Sequence, residues 1–399
     1  MNGRSVSYWQ YINRPETMEC DVVVVGGGIA GCSTAFWLKS LQPSLKVLLI
    51  ERRQIASGAS GRNAGFLLQG SSAAYATDVE RFGRARARLL WEATLSNRNQ
   101  LEDLFDGRET GFAATGSCTA AGSAAEAEQL LRSAVMLRED AFEGEFLEAA
   151  NVNRLLDSTG FQGGLVVPTG AVVDPVRLVR TMVKETDVLV MERLTVRSVT
   201  PGSEYPIEIQ ADPFVIYADA AVLTINAYLP LVEPELAAFV RPVRAQMLAT
   251  EPLTGKPLRM PVYSHEGYYY IRQLQDGRLL VGGARHRHRN QEVGYSLETT
   301  EALQNDLANY LASYFPGRAD VEVNRRWAGT MGFSDDGLPV WGRLPEVPRA
   351  LWVGGFTGHG MSIAFLVGKM MAELTIGETT SKLGDLFSSD RFRGAPGIS

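Results

Sequence analysis

DVVVVGGGIAGCSTAFWLKSLQPSLKVLLIE, residues 21–51, decides the fold. Asp21 to Val25 is a short apolar run of the kind buried on both faces of a parallel sheet. Gly26, Gly28 and Gly31 then spell G-x-G-x-x-G around Ile29 and Ala30, and CSTAFWLKSL carries Phe36, Leu38 and Leu41 at helical spacing. The first glycine permits the turn, the second lets backbone N–H groups approach a pyrophosphate, and the third lets helix and strand pack closely. Phosphate charge meets the positive end of the helix. A second strand, Lys46 to Ile50, ends in Glu51 and Arg52, and a carboxylate about 20 residues after the glycines can accept ribose hydroxyls. In a chain with 40 glycines, one such motif is weak. Strand, turn, helix, strand and acid in this order make a dinucleotide cradle, which by itself does not separate NAD from FAD.

The formal charge of -6 gives no basic footprint for nucleic acid, so DNA and RNA are set aside. No apolar run reaches the roughly 18 residues of a membrane span, and the opening MNGRSVSYWQYINRPETMEC lacks a signal-peptide core, so a cytoplasmic location is expected. Cys20, Cys32 and Cys118 are too few and too irregular for a disulfide framework or a zinc site, and read as reduced packing thiols.

Ser57, Gly58, Ala59, Ser60, Gly61, Arg62, Asn63, Ala64 and Gly65 follow the second strand, where an NAD domain begins another crossover helix. With the opening SYW and the ECDV strand, this passage resembles the D-amino-acid-oxidase-like superfamily of FAD-dependent amine oxidoreductases. It is most like the gamma-glutamylputrescine oxidoreductase branch. The resemblance implies an α/β chain, α+β overall, with a discontinuous Rossmann-like FAD domain at 1–75, 150–232 and 321–399. Segments 76–149 and 233–320 would form a substrate domain on a mixed or antiparallel sheet with helices.

The rest of the chain fits that outline. Residues from about Val79 to Arg138 carry helical apolar stripes. Asp174 and Pro175 start another helix as cap and first residue. Val188 to Met191 and Leu194 to Val199 are candidate strands, and the resemblance gives Val196 a backbone contact to adenine. Ala218 to Pro230 reads as a buried strand ending in a turn at Asn226, a residue that tolerates left-handed backbone. Val240 to about Gly283 turns to β, with a hairpin turn at Gln275-Asp276-Gly277. Asn305 to Phe315 reads as a helix, and the tail after Phe387 as loose.

LWVGGFTGHGMSIAFLVGKMMAEL, residues 351–374, is a strand, a turn containing Gly355, Thr357, Gly358, His359 and Gly360, and a helix from about Met361. A helix N-terminus there can stabilise the negative charge that reduction places near flavin N1. A nicotinamide develops no comparable anion, so this segment favours FAD, held by both chain ends. A nicotinamide dehydrogenase follows only from the first 50 residues.

The resemblance implies oxidation of a C–N bond to an imine by hydride transfer to flavin N5, then hydrolysis. Such transfer needs alignment and a neutral amine more than a strong base, so His359 reads as flavin bed, with acid/base work as the alternative. Arg62 would lie beside the isoalloxazine and stabilise its reduced form. Some relatives hold FAD through a cysteine in the C-terminal third or a histidine in the N-terminal loop. This chain has neither, so non-covalent FAD is expected. Amino-acid oxidases of the superfamily clamp the substrate carboxylate with an arginine after the tryptophan-glycine segment, which here reads WAGTMGF. Arg272, on one strand face with Tyr268 and Tyr270, is the candidate replacement, although sheet packing explains these residues equally well. Arg285 to Arg289 form a basic run. His286 and His288 are spaced for a metal but lack a third ligand, so a polar loop facing an anionic substrate or partner subunit is the simpler reading. The missing arginine weakens a simple α-amino acid and favours an amine, polyamine conjugate or N-alkyl compound, so the substrate is a small amine or amino acid, and the acceptor O2, a quinone or a protein. A flavin-binding subunit serving assembly or electron relay is the competing reading.

Overall fold

The computed structural model describes residues 7–9, 15–379 and 381–392. The strand Glu16–Val25 pairs in parallel with Val47–Glu51 on one side and Phe214–Leu223 on the other. Leu189–Glu192 extends the sheet past Val47–Glu51, and Ala350–Gly354 extends it past Phe214–Leu223. Strand alternation then sorts the valines. Val22 and Val24 enter one apolar cluster, with Leu38, Leu178 and Phe365, while Val23 and Val25 enter another, with Ile207, Ile209 and Trp352. Both faces are covered, which is why this run carries no polar residue after Asp21.

The helix Ile29–Leu41 packs against Ala364–Thr375, so segments more than 300 residues apart in sequence share one face of the sheet. Ser33 Oγ donates to the Phe365 carbonyl at 2.6 Å, and a Cβ on Gly368 would lie 2.4 Å from Ser33 Oγ. The glycine is what allows so close an approach. As expected, Asp174 caps Pro175–Lys184, its Oδ1 accepting from Val176 N and Arg177 N at 3.0 Å each.

The second sheet runs in the order Val323–Phe333, Arg241–Thr250, Leu279–Gly283, Tyr269–Gln273, Val262–Ser264, Ser117–Ala120, Gly163–Val167, Glu145–Glu148. Its pairings are antiparallel except between Val262–Ser264 and Ser117–Ala120. The expected hairpin is present, with Gly277 at φ 90° between Tyr269–Gln273 and Leu279–Gly283. Gly163–Val167 and Val323–Phe333 join this second sheet, so the chain crosses between sheets after position 150 on one side and after 321 on the other.

Several local expectations need correction. Ser117–Ala120 interrupts the helical stretch expected from Val79 to Arg138. Leu194 to Arg197 lies outside any strand, and the strand there is Ser198–Pro201. The last turn is followed by a 3-10 segment, Gly360–Ser362, and the α-helix begins at Ala364, not Met361. The segment just after Phe387 is tied down, because Arg391 Nε meets Asp336 Oδ2 at 2.7 Å. Among the described residues no helix is long and apolar enough to cross a membrane.

Candidate functional site

The first glycine turn is built by close approach. A Cβ on Gly31 would fall 1.9 Å from the Gly26 carbonyl oxygen and 2.5 Å from Thr224 Oγ1. Gly28 instead opens onto a cavity, where an added Cβ would meet only Ser60, with Oγ at 2.9 Å. Ser60 Oγ accepts from Ile29 N at 2.9 Å, so donors at the helix N-terminus point at this edge of the cavity. Glu51 accepts from Gly27 N at 2.9 Å and from Arg53 N at 2.8 Å. The Arg52 guanidinium lies 4.0 Å over the ring of Tyr228.

The polar loop after the second strand folds on itself. Asn63 Nδ2 donates to the carbonyls of Ala59 and Ser60 at 3.0 and 2.9 Å, and its Oδ1 accepts from Gly65 N at 2.7 Å. Arg62 bridges to the second sheet. Its Nε donates to the Ser57 carbonyl at 3.1 Å and its Nη1 to the Ala328 carbonyl at 2.8 Å, and Trp327 Nε1 donates to the Arg62 carbonyl at 3.1 Å.

The C-terminal turn is anchored with the same economy of contacts. Asn226, at φ 48°, accepts from Gly355 N through Oδ1 at 3.0 Å, and Thr357 N donates to the Gly332 carbonyl at 2.8 Å. His359 is enclosed by the cavity wall. Burial pushes its pKa down to about 4 against the opposing effect of the Gly70 and Leu68 carbonyls, so the imidazole is neutral at physiological pH. Its Nε2 and the Oγ1 of Thr330 are buried with no hydrogen-bond partner among the described residues.

Both turns open onto one cavity of about 810 Å³. Gly26, Gly28, Ile29, Ala30, Glu51, Arg52 and Val196 line one part of it. Ser57, Ala59, Ser60, Arg62, Asn63, Ala64 and Gly65 line it as well, together with Thr357, Gly358, His359, Gly360, Met361 and Tyr270. Gly31, Gly61, Gly355 and Arg272 do not. The first is a packing glycine, as is Gly61, whose Cβ would lie 2.0 Å from the Ala56 carbonyl oxygen, while Gly355 sits at φ 69° against Ser334 and Val340.

Arg272 is the main correction. It is buried, and its Nη1 donates to the carbonyls of Ala64, Val173 and Gly65 at 2.7, 3.0 and 3.3 Å. Desolvation pulls its pKa down to about 10, with the charge of Asp174 opposing. It fastens the loop from below and does not reach the cavity. The basic run is likewise structural in part. His288 Nε2 meets Asp306 Oδ2 at 2.8 Å, and the His286 ring lies 4.7 Å from that of Tyr268. Arg285, in contrast, lines the cavity. Phe66 and Tyr263, not singled out in the sequence, line it too and form a three-ring group with Tyr270, with centroids 5.3, 5.9 and 6.2 Å apart. Thr330, which the sequence marks only as part of the tryptophan-glycine segment, lines it as well.

The model of the FAD dependent oxidoreductase (DAO) family matches residues 21–374, which takes in both glycine turns and both sheets. The chain belongs to this family. FAD is the family's cofactor, and the site fits it: two backbone turns border a single cavity, and Thr330 and His359, which line it, each carry a buried polar atom without a partner among the described residues. As a DAO-family member the chain is 26% identical over 383 residues to gamma-glutamylputrescine oxidoreductase of Escherichia coli, covering 91% of this chain and 85% of that protein. It is 25% identical over 399 residues to the probable oxidoreductase OrdL of Rhizobium meliloti, covering 96% and 89%. Among solved structures, L-proline dehydrogenase of P. horikoshii superposes with a TM-score of 0.77 at 21% identity, covering 95% of this chain and 98% of the other, a likeness of fold.

Proposed function

We propose that this DAO-family chain oxidises a C–N bond of an amine or amino-acid-like substrate to an imine, which water hydrolyses to a carbonyl compound and an amine or ammonia. The observation that carries the reading is the single cavity bordered by both turns, where Nε2 of His359 and Oγ1 of Thr330 lack partners. FAD, when bound, supplies the two-electron acceptor. The turn Gly26 to Gly31, with the Ala30 N–H and with Ile29 lining the same edge, would hold its diphosphate, and Glu51 its ribose, with Val196 and Arg52 at the adenine. The loop Ser57 to Gly65 and the turn Thr357 to Met361 would hold the ring, with Arg62 as the adjacent cation.

The remaining work of the protein is orientation and dryness. Phe66, Tyr263 and Tyr270 give the substrate an aromatic wall, and burial pushes the Tyr263 hydroxyl up to about 12, so it stays a neutral hydrogen-bonding group. Neutral His359 offers a lone pair or an N–H and carries no charge to titrate near pH 7.

The test is anaerobic mixing of the holoenzyme with a panel of amines and amino acids, with peroxide measured in a parallel aerobic run. Rapid loss of the yellow band with at least one amine is expected, and inertness of the isolated chain to every compound would favour a relay or assembly subunit. The parallel run separates O2 from a quinone or protein acceptor.

Two further outcomes are expected here. The second-order rate of flavin reduction should rise about tenfold per pH unit up to the amine's own pKa, with no inflection between pH 5 and 8. His359→Asn should lower the rate and leave that profile in place. An inflection near 6.5 that vanishes in the variant would make His359 the base. Heat or acid should release the flavin into the supernatant, because Cys20, Cys32 and Cys118 do not line the cavity and burial pushes the thiols of Cys20 and Cys118 up to about 12. Colour retained by the precipitate would contradict non-covalent binding.

A further inference from the structure

The cavity-facing end of Val323–Phe333 presents Gly329, Thr330, Met331 and Phe333, none of them charged. A cation arrives there instead from the end of Leu279–Gly283, across the intervening strand Arg241–Thr250. Gly283, at φ 121°, and Ala284, at φ 58°, turn the chain out of Leu279–Gly283, and Arg285 then extends over the sheet until its guanidinium carbon stands 4.7 Å above the Phe333 ring. A side chain on Gly283 would clash with the Tyr268 carbonyl oxygen at 2.0 Å, so this exit is available only to glycine.

What sets Arg285 apart is that it lacks an acceptor while half-buried; Arg52 and Arg53 also line the cavity without one, but both are exposed. Other arginines of the cavity are occupied: Arg62 by the Ser57 and Ala328 carbonyls, Arg81 by the Asp336 carbonyl at 2.8 Å, Arg241 by Asp335 at 2.5 Å. Among the described residues nothing accepts a hydrogen bond from the Arg285 guanidinium, although it is half-buried. Burial lowers its pKa, and the nearby charges of Tyr268, Arg289, Glu292 and Tyr270 act on it without pairing with it. Glu292 is itself fully buried and taken by Gln246 Nε2 at 2.7 Å. A planar cation with five donors, stripped of much of its water and left unpaired, is a costly arrangement that an anionic ligand group relieves.

We propose that Arg285 binds a carboxylate on the substrate, so that this enzyme selects amines bearing an anionic group and reads that group from the turn after Leu279–Gly283. The inference rests on the amine-oxidising reading above. The carboxylate lies on the Arg285 guanidinium near Phe333, and the carbon chain between it and the amine runs along Phe66, Tyr263 and Tyr270. A neutral amine of the same shape leaves the guanidinium unpaired and is disfavoured.

The test uses carboxylate and carboxamide pairs on the holoenzyme: glycine and glycinamide, 5-aminopentanoate and 5-aminopentanamide, and benzoate and benzamide, which cannot be oxidised. Perturbation of flavin absorbance gives each Kd without turnover. In the unmodified protein, at least one carboxylate is expected to bind about 10-fold or more tighter than its amide. Arg285→Gln should bring that ratio close to one at unchanged flavin content, and Arg285→Lys should leave a partial preference, since an ammonium cannot make two parallel bonds. Equal binding of every pair in the unmodified protein, or a ratio unaltered in Arg285→Gln, overturns the proposal. If Arg285→Gln fails to hold FAD, an undiminished ratio in Arg285→Lys overturns it instead. A benzoate preference that depends on Arg285 while no amine bleaches the flavin supports the anion site and rejects amine oxidation, so the two failures are distinguishable.

Discussion

Gly31→Ala is expected to abolish FAD retention and to cost the fold about 3 kcal/mol or more. The added Cβ lands 1.9 Å from the Gly26 carbonyl oxygen and 2.5 Å from Thr224 Oγ1, and neither can yield. Gly26 N donates to the Ile50 carbonyl at 2.7 Å, while Thr224 Oγ1 donates to the carbonyls of Val25 and Gly26 at 2.9 and 3.1 Å. The helix Ile29–Leu41 would have to retreat, but its other flank is closed by Ala364–Thr375, where Ser33 already lies within 2.6 Å of the Phe365 carbonyl. Helix displacement also withdraws the N–H groups meant for the diphosphate. Gly28→Ala is the contrast. Its Cβ meets Ser60, a small side chain able to rotate, so the fold should survive and only FAD affinity should fall. Urea unfolding and flavin fluorescence titration on both variants read these effects separately, and a Gly31→Ala protein with unmodified midpoint and full flavin content would refute the packing account.

Arg272→Met is the second large effect. Nη1 of Arg272 satisfies the carbonyls of Ala64 and Val173, and the variant strands them in the interior, whereas the Gly65 carbonyl keeps the Val173 N–H at 2.9 Å. Each buried unpaired carbonyl costs roughly 1–3 kcal/mol, partly offset because a desolvated guanidinium with an unpartnered Nε is itself removed. A net loss of about 2 kcal/mol is expected, concentrated in the loop Ser57 to Gly65. FAD affinity should drop about tenfold, while carboxylate binding in the flavin-loaded protein stays unaltered. An increase in the substrate Kd at unchanged FAD affinity would mean that the residue reaches the substrate after all.

Arg272 and Arg285 also show where sequence reading stops. Alternation along Tyr269–Gln273 puts Tyr270 and Arg272 on the same face, and the sequence says no more than that. Tyr270 lines the cavity, whereas two residues further on the strand has passed beneath the loop carrying Ala64 and Gly65. Arg285 was legible only as part of a basic run. The direction of its side chain depends on the positive φ of Ala284 and on a strand order that brings Leu279–Gly283 within reach of Val323–Phe333 across Arg241–Thr250.

By itself the sequence determined what local chemistry enforces. The cradle Asp21 to Glu51, the Asp174 cap, the hairpin at Gly277 and the left-handed turn at Asn226 each follow from backbone freedom, capping or strand alternation over a few residues. The tertiary structure alone decided which sheet Gly163–Val167 and Val323–Phe333 join, and that Arg285 lines the cavity while Arg272 does not. Those outcomes depend on pairings between strands far apart in the chain, and a local pattern of apolar and polar residues is the same whichever partner lies alongside it.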